Sequence, residues 1–223
     1  MTNEISNSGI SISARALHVL KTQLSVKLLV GTTVAAFLSP LFLGFDYKPL
    51  SLNTLSLYLF DVLNIIAYFL LLRDSRKAGI KPAPFYLLIL LQFCYFISRS
   101  IGVFAFIFKL KLMDFSWMIS VSQFFVHSLP FIIAALLILS GNKYLKTGGV
   151  IMVLKTLAII ASMSLISLLQ ERLLGSDLQG PVVDLNLISN ALGTLSSIII
   201  SPLLILFSLS IGLGVYQSVS TNK

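Results

Sequence analysis

Charge is scarce in this 223-residue chain: Asp, Glu, Lys and Arg make up 11% of it, where a soluble domain carries about 25%. So few charges exclude an ordinary soluble globule. The high apolar content excludes a disordered chain, which needs the reverse balance. Cysteine is scarcer still. Cys94 is the only one, so neither an intrachain disulfide nor a cysteine-built zinc site is available. It lies in an apolar stretch, where a thiol behaves as a small hydrophobe. Histidine occurs twice, as His18 and His127, too few for the paired axial ligands of a multi-haem protein. Acids number eight, and Asp61 alone falls inside a long apolar stretch, which excludes a carboxylate cluster for two metals at that depth. Catalytic signatures are missing as well: H-E-x-x-H, G-x-S-x-G, the P-loop and the EF-hand loop, and the K⁺-channel filter. No cofactor is therefore expected. An enzymatic activity would have to rest on His127, alone or paired with Cys94, and is not the expectation.

What the chain has in excess is apolar length. It is 57% hydrophobic with a mean hydropathy of +0.96. Six segments, roughly 24–45, 52–72, 84–108, 116–140, 148–170 and 186–215, each suffice for a hydrocarbon core of about 30 Å, which takes about 20 helical residues. Lipid satisfies no backbone donor or acceptor, so these segments must be helical, and the short alternating pattern of an outer-membrane barrel is not seen. The expected fold is all-α: a polytopic membrane protein, a bundle of six transmembrane helices in one domain spanning 24–216. Residues 1–23 form a polar N-terminal segment in which Ile10, Ala14, Leu17 and Leu20 recur at near-helical spacing beside Arg15, His18 and Lys21. That pattern predicts an amphipathic helix lying on the membrane surface. Its length of polar sequence before the first apolar run does not read as a cleavable signal peptide. Residues 217–223 make a short tail.

The net charge of +8 is explained by sorting it. With the N-terminus on the cytoplasmic side, ten Lys and Arg fall on that side and four on the other, while acids number two and five. This is the positive-inside bias, and it predicts that both termini are cytoplasmic. The basic charge thus reports orientation in a membrane, the cytoplasmic (inner) membrane on this reading, and no nucleic-acid partner is expected. Membrane lipids are the expected partners. The basic loop 73–82 is placed to meet anionic headgroups, and the acidic connection 171–185 lies on the opposite side.

Ionisable residues at lipid depth cost about 2.5–3.5 kcal/mol each on insertion scales, so each calls for an explanation. Asp61 in the second segment and Arg99 in the third fall at similar depth if those helices run antiparallel. They are the natural partners for each other. Asn64, three residues beyond Asp61, shares its face, and Gln92 lies two turns before Arg99. The expected site is an intramembrane polar stripe of Asp61, Asn64, Gln92 and Arg99. His127, near the middle of the fourth segment, joins it as a candidate proton relay, since imidazole titrates near neutral pH. Lys155 is read as snorkelling to the cytoplasmic headgroups from the start of the fifth segment. Small residues in the fifth (Ala161, Ser162, Ser164, Ser167) and sixth (Ser189, Gly193, Ser196, Ser197, Ser201, Ser208) predict close packing of these two helices against each other or against another helix. Pro40, Pro130 and Pro202 fall within the first, fourth and sixth and are expected to kink them.

Elimination and the polar stripe together point to a transporter, or a permease-type subunit whose energy comes from a partner ATPase or from an ion gradient coupled through Asp61. The alternative is a non-catalytic scaffold, sensor or immunity-type protein that acts by binding another membrane protein. In that case the stripe would be a structural ion pair fixing helix register.

Overall fold

The computed structural model describes residues 17, 19–20, 22–43, 51–109, 115–174 and 185–221. These form helices α1 (Leu24–Leu43), α2 (Leu52–Lys77), α3 (Ala83–Ile107), α4 (Ser116–Ile138), α5 (Lys143–Leu174) and α6 (Leu185–Thr221), with no strand among the described residues. Five helices are long and apolar enough to cross a membrane, and α1 contributes a shorter apolar stretch, Leu24–Ser39. The architecture is that of a helical membrane protein. Its outward-facing side chains agree: Leu59, Phe69, Leu90, Phe124 and Leu154 are among many large apolar residues left exposed, a surface that a water-soluble monomer does not carry.

Local chemistry sets the helix starts and stops. Ser51 caps α2, its hydroxyl accepting the Thr54 amide at 3.3 Å, which satisfies one of the orphan donors of the first turn. The chain leaves α2 through Gly79 at φ 69° and enters α3 over Pro82. Gly141, at φ 79°, turns the chain between α4 and α5, a backbone shape that glycine adopts without penalty. Asn142 follows at once and caps α5, its Oδ1 accepting the amides of Tyr144 and Leu145 at 2.9 and 3.3 Å. The other half of the same amide donates to the Gly214 carbonyl at 3.2 Å, so one side chain starts α5 and ties it to α6.

Each helix packs on its neighbour in chain order, and α1 closes the ring against α6. The contact pairs show antiparallel neighbours: a Cβ on Gly214 near the end of α6 would meet Leu145 at the start of α5, and one on Gly212 would meet Val26 at the start of α1. One end of the bundle therefore gathers the starts of α1, α3 and α5 with the ends of α2, α4 and α6. The main apolar core fills this end, with Leu71, Phe85, Leu137, Leu145, Ile211 and Val215 fully buried. The same end carries Lys27, Arg73, Arg76, Lys77, Lys81, Lys143 and Lys146, and Arg76 donates to the hydroxyl of Tyr86 with its guanidinium 5.5 Å from the ring centre.

Three features differ from the sequence-based expectation. α2 continues through Arg73–Lys77, so half of the basic loop is a helical end, stabilised by cations at the negative pole of the helix dipole. α5 starts at Lys143 rather than near 148, and α6 runs through most of the supposed tail to Thr221. Pro130 and Pro202 lie inside α4 and α6, each of which runs through its proline as one element. Of the N-terminal amphipathic segment, little is described. Val19 is fully buried with Val26 and Leu213, and Leu20 packs beside them, whereas Leu17 is exposed. Ile10, Ala14, Arg15, His18 and Lys21 lie outside the described residues, as does most of the 171–185 connection.

Candidate functional site: an intramembrane polar cavity

Near the middle of α2, and in the second half of α3, the two helices are joined by charge. Arg99 donates through Nη1 to Asp61 Oδ2 and to the Leu57 carbonyl, the latter at 3.3 Å. Gln92 donates to the second carboxylate oxygen of Asp61 at 2.9 Å. The Asp61 side chain is 8% exposed and that of Arg99 33%. Both oxygens of the acid are thus satisfied, as a buried carboxylate requires. Asn64, one turn further along α2, accepts from the Thr32 hydroxyl of α1. The same two helices are bridged again by Ser39, whose hydroxyl donates to Asn53 Oδ1 at 3.1 Å.

These side chains border a cavity of about 250 Å³, several times the ~30 Å³ that one liquid water molecule occupies. Asp61, Asn64, Gln92 and Arg99 all line it, with Thr33 from α1, Tyr68 from α2 and Tyr95 from α3. α5 and α6 complete the wall with Met152, Lys155, Leu204 and Ser208. The buried core continues from this cavity toward the basic end, with Leu29, Leu88, Leu91, Met152 and Phe207 belonging to both.

Four of the five residues singled out from the sequence come together here, and His127 does not. It sits half-buried on α4, a helix that contributes nothing to the cavity wall, and makes no hydrogen bond among the described residues. Cys94 is buried on α3 and is likewise absent from the wall, so nothing pairs it with His127. Among the described residues no group of His, Cys, Asp and Glu is arranged to hold a metal ion.

Lys155 is the residue that sequence reasoning misplaced. Rather than snorkelling, it is 6% exposed and lines the cavity. Its place on α5 turns it into the bundle, on the wall shared with Met152 and Ile159 of α5 and Leu204 and Ser208 of α6. Among the described residues its ammonium has no hydrogen-bond or ion-pair partner. The Gly141 turn and the Asn142 cap start α5 before its first purely apolar residue, but the face that Lys155 occupies is set by packing.

The small-residue expectation is also revised in its particulars. α5 and α6 do make the most extensive helix contact, but Ala161, Ser164 and Ser167 face outward. Close approach comes instead from glycines near the basic end. A Cβ on Gly149 would lie 2.7 Å from the Ala134 carbonyl of α4, and one on Gly214 would lie 2.6 Å from Leu145. Ser189, Gly193, Ser196 and Ser197 lie where side chains are not described. Compared with protein-family models, curated proteins and solved structures, the chain matches none.

Proposed function

We propose that the protein is an integral membrane transporter or a permease-type subunit, with six spans, both termini cytoplasmic and the cytoplasmic membrane as its location. The observation that carries this reading is the cavity. A single structural ion pair needs no space around it, yet here charged and polar groups from five helices face a common void at mid-depth. Its lining by five helices is what a path for a solute through the bundle requires. The ten-to-four distribution of Lys and Arg supports the orientation. No nucleotide-binding loop occurs in the sequence, so energy would come from a partner ATPase or from an ion gradient acting at Asp61.

Cysteine accessibility tests the reading without knowledge of the substrate. Cys94→Ala gives a cysteine-free background, because Cys94 is the only cysteine. Thr33→Cys and Ser208→Cys then place single thiols on the cavity wall. In right-side-out and inverted vesicles, a membrane-impermeant methanethiosulfonate reagent should modify both positions from both faces. Modification from one face only, or from neither, would overturn transport.

A further inference from the structure

We infer that the cavity is the binding site of a small monocarboxylate, its anionic head held by Lys155 and by the open side of the Arg99 guanidinium. This rests on reading the cavity as the substrate site, and it names the chemical class of that substrate.

The argument starts from charge. The wall holds two cations, Arg99 and Lys155, and one anion, Asp61. Both oxygens of Asp61 are already taken, by Arg99 and Gln92, which leaves one positive charge without a partner at mid-depth. A buried ammonium without a counter-ion is strongly disfavoured. Lys155 offers three N–H donors, and Arg99 spends only Nη1 on Asp61 and Leu57. Its Nε and Nη2 donors have no partner among the described residues, and their fork matches a carboxylate. Other charge types fit worse. A cation meets no free acid, and a zwitterion, being net neutral, would leave the excess positive charge uncompensated. A dianion would exceed the single compensating charge. Much of the remaining wall is apolar, including Leu29, Leu91, Met152, Ile159 and Leu204, so it suits a short hydrocarbon body behind the carboxylate.

Thermal unfolding of the full-length purified protein in neutral detergent, titrated with hexanoate, hexanamide, hexylammonium and chloride at constant ionic strength, tests this. Hexanoate should raise the midpoint saturably while the other three do not. Lys155→Met should weaken hexanoate binding by about tenfold to a hundredfold, and Lys155→Arg should retain it. Equal effects of hexanoate and hexanamide would overturn the inference, as would chloride matching hexanoate. So would undiminished hexanoate binding by Lys155→Met. If that variant does not fold, the comparison of the four compounds on the unaltered protein decides alone. The two readings fail separately: two-sided cysteine modification without a hexanoate effect removes the carboxylate but keeps transport, and a saturable hexanoate effect with a cysteine-inaccessible cavity does the reverse.

Discussion

Asp61 accepts from two donors on α3, and its removal would strand both. In Asp61→Leu, Arg99 would keep only the Leu57 carbonyl and Gln92 would lose its acceptor, a loss of about 1–3 kcal/mol. Arg99→Leu should cost a comparable amount, but the double variant should cost less than the sum. A coupling of about 0.5–3 kcal/mol is expected from unfolding in mild detergent, and strict additivity would mean that the pair does not stabilise the bundle. Lys155 predicts the opposite sign. Replacing an unpartnered, buried ammonium with the similarly shaped Met should raise the ligand-free unfolding midpoint, because a lysine at mid-depth costs about 2.5–3.5 kcal/mol. A lower midpoint would show that Lys155 has found a stabilising partner. Asp61 and Arg99 were legible from the sequence because each is the lone ion of an apolar segment and their depths match. Lys155 was not, since hydropathy locates it along α5 but does not say which neighbours its face meets, and that packing turns it into the cavity.

Helix identity was legible throughout, because lipid leaves the backbone one option, whereas the ends and the contact faces were not. Polar residues at 73–77 and 143–147 read as loop, yet they continue helices past the apolar stretch. Hydropathy registers where lipid stops, and hydrogen bonding decides where the helix stops. Contact faces were missed for a related reason: serine and glycine both count as small, but only glycine brings the backbone of one helix against the next. Gly149→Ala puts a methyl 2.7 Å from the Ala134 carbonyl and 2.8 Å from Ile138. Backbone must move, so α4 and α5 should separate at a cost of about 1–3 kcal/mol. Gly31→Ala is the control. A Cβ there meets nothing within 4 Å, and in a helix interior alanine is favoured over glycine by about 0.5–1 kcal/mol. Unfolding midpoints should fall for the first variant and rise slightly for the second; equal behaviour would refute the tight α4–α5 crossing.

At the scale of the molecule, the ring closed by α1 against α6 joins segments separated by most of the chain, a contact that no local pattern encodes. The sorting of charge, by contrast, was readable before any coordinates, because it depends only on counting residues between apolar segments. In the structure the seven of those bases that are described belong to one end of the bundle, where Arg73, Arg76, Lys77 and Lys81 surround the α2–α3 turn. If they hold that end in the cytoplasm, weakening them should weaken the orientation. Changing all four to Gln leaves six bases on that side against four on the other, a margin small enough for mixed insertion. An epitope placed after Lys223 should resist external protease in right-side-out vesicles of the unaltered protein. In the four-Gln protein, a fraction of the same epitope should become cleavable. Helix packing alone cannot produce that change, since the bundle is the same object in either orientation, so complete protection in both proteins would mean that the remaining bases, or the N-terminal segment, set the topology.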